Sequence, residues 1–481
     1  MKTRIEHDLL GEKEVPADAY YGIQTLRGIE NFQNISGITI GDYPNYVKAL
    51  AMVKWAAAKA NQELEILPDD IANAITRACE EIIGGKLHDQ FPVDLIQGGA
   101  GTSTNMNINE VVANRALELM GHQKGEYQYC HPNNHVNMSQ STNDAYPTSF
   151  KLAFIFMNEE LVADLKLLIQ AFRAKGEEFK EVLKMGRTQL QDAVPMTMGQ
   201  EFEAFAANLE EEVDRLNQMA KLFLEVNMGA TAIGTGINSE PEYSSKCIKN
   251  LRIISGEEFV LASNLIEATP DAGSSVMYSS ALKRLAVKLS KICNDLRLLS
   301  SGPRCGFNEI HFAPLWALKK TSLPPMQPGS SIMPGKVNPV IPEVVNQICY
   351  RIIGNDLTVT FAAEAGQLQL NVMEPVMVHA IFSSIKMLQK GMDRLRILCV
   401  EGITANTQHC REMVLNSIGI VTALNPTLGY ENSSRIAKRA LKENRSVYDL
   451  VLEEGLLTKD ELDQLLKPES MIKPHKFYKK K

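Results

Sequence analysis

The sequence predicts a mainly α-helical protein built around a bundle of long helices, and three observations support this. Two long stretches, Ser149 to Val194 and Met198 to Glu240, contain no proline. Within them apolar residues recur at helical spacing: Leu161, Leu165, Leu168 and Phe172, then Leu209, Val213, Leu216 and Phe223. The stripes are wider than a two-position coiled-coil seam, so the helices must bury them against several neighbours rather than form a single-chain stalk. Helices of this length exceed what one compact domain needs, and subunit association through the bundle would account for the excess.

A chain of 481 residues is expected to form two or three domains. Residues 1–140 read as a mixed, mainly helical N-terminal domain, with short helical patterns such as Val47 to Glu63 broken by Gly- and Pro-containing turns. Residues 141–405 carry the long helices. Inside them a polar, Pro-rich connection, His311 to Pro328, leads into a loop at 329–339, and helical pattern resumes from Val344 to about Leu398. Residues 406–481 read as a small helical C-terminal domain: Asn425-Pro426-Thr427-Leu428-Gly429-Tyr430, then amphipathic segments to Leu466. The basic end, Lys473 to Lys481, is expected to fray.

Bulk properties exclude several classes of function. Hydrophobic residues make up 44% and charged residues 22%, as in a soluble globular protein. The formal charge of -7, with acids and bases interspersed, argues against a nucleic-acid groove. Apolar runs are interrupted before they reach bilayer-spanning length, and the N-terminus shows no apolar signal segment. Eight cysteines without a Cys-x-x-Cys pair predict neither a disulfide framework nor a zinc site. Reduced, mostly buried thiols in a cytoplasmic protein are expected instead.

The chemistry concentrates in Gly329-Ser330-Ser331-Ile332-Met333-Pro334-Gly335-Lys336-Val337-Asn338-Pro339. Two glycines bracket a pair of hydroxyls, with a lysine and an asparagine in reach, as suits a loop closing over a small anion. It is not a Walker A loop, since five residues rather than four precede Gly335-Lys336 and Val337 follows. A carboxylate is therefore expected in place of a nucleotide phosphate. Three further clusters, 101–107, 137–144 and 186–192, are rich in hydroxyls and amides and poor in charge. Singly each reads as capping or turn chemistry. Together they suit a small dicarboxylate held by many neutral donors and one lysine.

The serine loop and the three clusters, in this order, resemble the motif regions of the aspartase/fumarase superfamily. Val15-Pro16, Tyr20-Tyr21-Gly22, Asn425-Pro426 and Gly429-Tyr430 extend the resemblance over essentially the whole chain. It implies a three-domain subunit whose long helices form the multi-helix core of a homotetramer, with each active site composed from three subunits. It also implies anti elimination beside a carboxylate, releasing fumarate. Carried over position by position, Ser330 would be the base, and Thr102, Ser141, Thr142 and Ser331 would surround the developing dianion. Lys336 and Asn338 would bind the other carboxylate, and Asn143, Thr188 and Gln189 would face the leaving group. Glu343 matches a supporting acidic position, or is a solvated carboxylate at a helix start. No cofactor is required on this reading; activation by Mg²⁺, known for some members, stays open.

Within the superfamily three departures favour the ammonia-lyase branch over the fumarate hydratases. Ser141-Thr142-Asn143-Asp144 replaces the hydratases' usual Ser-Ser-Asn-Asp, Gln189 stands where they usually carry histidine, and Val340-Ile341-Pro342-Glu343-Val344 replaces their Thr-Gln-Cys-Glu run. Gln189 fits chemically: hydroxide needs a general acid to depart, whereas a substrate ammonium carries its own proton. The expected substrate is thus L-aspartate. A non-catalytic role, such as that of a lens protein, is disfavoured by the presence of Ser330, Lys336 and Asn338 together. Asn134 stands where the family commonly has aspartate, which leaves any accessory anion site in that segment open. The 311–328 connection, with Trp316, Lys319 and Lys320, is longer than the family's usual one.

Overall fold

The computed structural model describes residues 2–311, 329–472 and 474. Trp316, Lys319, Lys320 and most of the basic C-terminal tail lie outside the described residues. The protein is mainly helical, as expected, and among the described residues its β-structure is confined to two-stranded pieces. Two are antiparallel hairpins, Thr3–Asp8 with Gly11–Pro16 and Leu183–Thr188 with Gln191–Thr197.

The longest described helix, Thr142–Glu178, shows why the sequence starts it where it does. Ser141 Oγ accepts from Asn143 N at 3.2 Å, while Asp144 Oδ1 accepts from Ser141 N at 2.9 Å. This reciprocal cap satisfies donors that no helical turn can reach. Pro147 then removes the N–H that would bond the Asn143 carbonyl, and Asn227 Nδ2 supplies a donor there at 3.0 Å. The predicted stripe Leu161, Leu165, Leu168 and Phe172 is completely buried.

The second stripe differs in detail. Leu209, Leu216 and Phe223 are buried, but Val213 is only half-buried and Glu212 takes the inward position. Glu212 is held there by Lys288 Nζ at 2.6 Å, the pairing a buried carboxylate requires. The helix itself ends at Ala220, so Phe223 packs from a short 3₁₀ turn beyond it.

The chain divides into two compact units. One contains Met1–Val162, Asp214–Ala286 and Tyr350–Leu388; the other contains Ala163–Val213, Val287–Cys349 and Gln389–Lys481. Five helices, Thr142–Glu178, Met198–Ala220, Gly273–Leu299, Val340–Glu364 and Glu374–Leu398, contribute residues to both. The division therefore runs across the three consecutive segments read from the sequence. The C-terminal helices share their core with the second hairpin: Leu183 and Met185 join Val414, Ile420, Leu424, Ile436 and Leu450. Seven cysteines are buried and Cys305 is exposed. Among the described residues no helix is long and apolar enough to cross a membrane.

Candidate active site

In the first unit, Thr102 opens the helix Thr102–Leu119 behind Gly101, which sits in the left-handed region at φ 85°. A β-carbon at Gly101 would come within 2.5 Å of the Tyr146 ring, so only glycine allows this close approach. Thr102 is exposed and its Oγ1 donates to the Gly99 carbonyl at 2.8 Å. Ser141, Thr142 and Asn143 lie together, half-buried, at the start of Thr142–Glu178. Asn143 is fixed through Nδ2 to the Ala232 carbonyl at 2.7 Å.

Beneath these residues lies a buried polar network that joins the 101–107 and 137–144 clusters through Lys54, the one member that sequence reasoning did not single out. Lys54 Nζ donates to Asn105 Oδ1 at 2.6 Å, Gln140 Oε1 at 2.9 Å and Asn137 Oδ1 at 3.1 Å. Asn105 Nδ2 reaches Asn137 Oδ1 at 3.1 Å and Thr142 Oγ1 at 3.3 Å. Asp144 is fully buried and accepts from the backbone of Ser141, Gly229 and Thr231. Burial pushes its carboxyl up to about 6, against the pull of those donors. The available signal was Lys54 itself, a charge inside the otherwise apolar Ala51-Met52-Val53-Lys54-Trp55-Ala56-Ala57.

In the second unit, Thr188 and Gln189 are exposed at the tip of the second hairpin. The strand partners Thr188 and Gln191 leave a two-residue turn, and both its residues have positive φ, 54° at Gln189 and 62° at Leu190. That is the turn geometry that favours Asn-Gly, so a Gln-Leu pair holds local strain there. The hairpin is anchored by Arg187, whose Nη1 meets Glu309 Oε1 at 2.6 Å and whose guanidinium stacks 4.1 Å over Phe307. Lys184 Nζ reaches the other Glu309 oxygen at 2.8 Å. Glu309 is fully buried, so the two cations supply the pairing its charge needs.

The serine loop folds back on itself. Gly329 N donates to the Lys336 carbonyl at 2.8 Å, and Asn338 Nδ2 donates to the Gly329 carbonyl at 2.8 Å. Ser330 Oγ accepts from Met333 N at 3.0 Å and Ile332 N at 3.2 Å. Two backbone N–H groups aimed at one hydroxyl oxygen favour its alkoxide form. Ser331 and Lys336 are exposed. Lys336, Asn338 and Glu343 line a cleft of about 530 Å³ with Arg297, Ser300 and His311.

Gly329 has a specific steric reason. A β-carbon there would stand 2.6 Å from the Lys336 carbonyl oxygen. Gly329→Ala is expected to open the loop's base and lower kcat/KM by about 10²-fold, as a displacement near 1 Å can. The exposed loop contributes little burial, so the thermal midpoint should barely move. Steady-state kinetics beside a melting curve check both halves of the expectation.

Among the described residues no group of three or more His, Cys, Asp and Glu side chains stands close enough to hold a metal ion. In the Asn134 segment, His131 Nδ1 accepts from the backbone of Asn133 and Asn134 at 3.0 and 3.3 Å. The Asn134 side chain is thus not what caps that turn.

A family model described as lyase matches residues 11–354, and one described as fumarase C C-terminus matches residues 420–473. The chain is 62% identical over 473 residues to an aspartate ammonia-lyase of Pseudomonas aeruginosa, covering 98% of this chain and 97% of that one. A crystal structure titled fumarate lyase:delta crystallin, from Brucella melitensis and bound to cobalt, superposes with a TM-score of 0.93 at 54% identity, covering 98% of this chain and all of that one. A class II fumarase of Schistosoma mansoni superposes with a TM-score of 0.89 at 34% identity, covering 99% of this chain and 100% of the other. The ammonia-lyase relative is thus far nearer in sequence than the hydratase, as the Gln189 and Thr142 positions led us to expect. Matched along nearly its whole length in sequence and fold, the chain belongs to the aspartase/fumarase superfamily of lyases.

Proposed function

We propose that this chain catalyses the reversible anti elimination of ammonia from L-aspartate to give fumarate, a carbon–nitrogen lyase reaction. The observation that carries this reading is the near-full-length identity of 62% to a protein named aspartate ammonia-lyase. The difficulty of the reaction is its carbon acid. Taking a proton from carbon beside a carboxylate places a second negative charge on that carboxylate, and the site must bind this aci-carboxylate better than the substrate.

Ser330, as alkoxide, takes the C3 proton, and the electron pair moves into the adjacent carboxylate. Thr102, Ser141, Thr142 and Ser331 donate to that dianion. Lys336 and Asn338 hold the other carboxylate. The dianion then collapses to the C2–C3 double bond as the C–N bond breaks. The C–N bonding pair stays with nitrogen, so the substrate ammonium departs as neutral ammonia with its three protons, guided by Asn143, Thr188 and Gln189. Glu343 supports the lysine side of the loop. The chemistry is proton transfer and C–N cleavage, so we assign no required cofactor; rates with and without added Mg²⁺ after chelation test for activation.

The protein works as a cytoplasmic homotetramer with composite sites on this reading. What supports subunit association within this reading is an exposed apolar line on Val340–Glu364, where Tyr350, Ile353, Leu357 and Phe361 are 57%, 38%, 55% and 64% accessible in the single chain. Such a stripe needs a covering partner.

Pure protein given L-aspartate should generate fumarate absorbance, while L-malate should give none. Turnover of malate but not aspartate would overturn the substrate assignment. Gln189→His is expected to lower aspartate turnover by about 10-fold or more without creating malate dehydration. Efficient dehydration by that variant would mean that a single position sets the leaving group.

A further inference from the structure

We propose that Lys54 is a positioning residue that fixes the Thr142 hydroxyl as a hydrogen-bond donor to the developing dianion. This deepens the elimination reading above and rests on it. Lys54 is 1% exposed and Asn105 2% exposed, so water does not compete for their bonds. A protonated lysine has three N–H donors and no acceptor. It meets three amide oxygens, on Asn105, Asn137 and Gln140.

The direction of every bond beyond the lysine then follows. Because Lys54 can only donate, the atom of Asn105 that faces it must be Oδ1. Asn105 Nδ2 must therefore point the other way, to Asn137 Oδ1 and Thr142 Oγ1. An amide nitrogen can only donate, so Thr142 Oγ1 accepts. The single hydroxyl hydrogen of Thr142 is thereby turned away from Asn105 and available to substrate. Without a cation under it, Asn105 could flip, present its oxygen, and draw that hydrogen back into the protein.

The same logic steadies the segment leading to Ser141 and Thr142. With Oε1 committed to Lys54, Gln140 Nε2 donates to the Val136 and Met138 carbonyls at 3.0 and 3.1 Å. With Oδ1 committed, Asn137 Nδ2 donates to the Gln140 carbonyl at 3.2 Å. The lysine thus sets both the aim of one hydroxyl and the shape of the turn that carries it. Burial pushes the Lys54 ammonium down to about 7, with the charge of Asp144 the largest influence opposing that shift. The three amide oxygens on Nζ ask for three N–H donors, which only the ammonium supplies.

The test is a double-mutant cycle in the full-length enzyme. Lys54→Met is expected to lower kcat for L-aspartate by about 10²-fold, the scale of one lost transition-state donor, with KM changed less than about threefold. In a Thr142→Val background, where there is no hydroxyl to aim, the same change should cost about tenfold or less, the part that comes from the shape of the turn. Equal losses in both backgrounds would overturn the proposal, because a merely structural lysine costs the same with or without the hydroxyl. Should Lys54→Met fail to assemble, Asn105→Asp decides. It keeps the lysine paired but can only accept from Thr142, so it should cost about 10²-fold with threonine present and little with valine. Additive losses there also overturn it. Failure of the elimination reading is seen separately, as absent aspartate turnover in the unmodified chain.

Discussion

Ser330→Ala is expected to lower kcat for L-aspartate by about 10³-fold, within the range for loss of a general base, and to leave assembly and KM nearly unchanged. The expectation comes from local geometry. The Ser330 oxygen receives the backbone N–H groups of Ile332 and Met333, and a serine needs such help because its ordinary pKa is far too high for a base. Alanine removes the oxygen but keeps the loop's closing bonds, Gly329 to Lys336 and Asn338 to Gly329, which use backbone and asparagine atoms only. Binding of a dicarboxylate, measured by calorimetry, should therefore persist while turnover is lost. Near-normal turnover would remove Ser330 from the role of base.

Lys336→Met is expected to act on binding. A charge-assisted bond to a carboxylate is worth about 1.5–3 kcal/mol, so KM for aspartate should rise by about 10- to 10²-fold. The further fall in kcat should be smaller than for Ser330→Ala, because this carboxylate keeps the same charge throughout the reaction. Methionine preserves the length of the side chain, and the exposed position asks for no packing. A variant with unchanged KM would place the second carboxylate elsewhere.

How much of this was legible in the sequence depends on the distance over which each feature is determined. The buried line of Leu161, Leu165, Leu168 and Phe172 followed from spacing alone. The 329–339 segment was legible as a loop because its glycines and prolines lie within eleven positions, while the role of Ser330 was read from the family resemblance. The Leu183–Thr188 and Gln191–Thr197 hairpin was not visible as strands. Its turn is Gln-Leu where the hairpin signal is Asn-Gly, and Lys184 interrupts its apolar pattern because Glu309 and Glu201 pair it from afar. Val213 was assigned inward on periodicity, and Glu212 displaced it because Lys288 supplies a partner 76 residues on. Lys54 looked like any helix lysine until Asn105, Asn137 and Gln140 were found around it.

The most direct measurement is a crystal structure of the enzyme holding a non-reacting succinate-like dicarboxylate. The account predicts the 329–339 loop closed over the ligand, with Ser330 Oγ about 3–3.5 Å from the carbon that would lose its proton. A closed loop with that oxygen turned away and out of reach would contradict it.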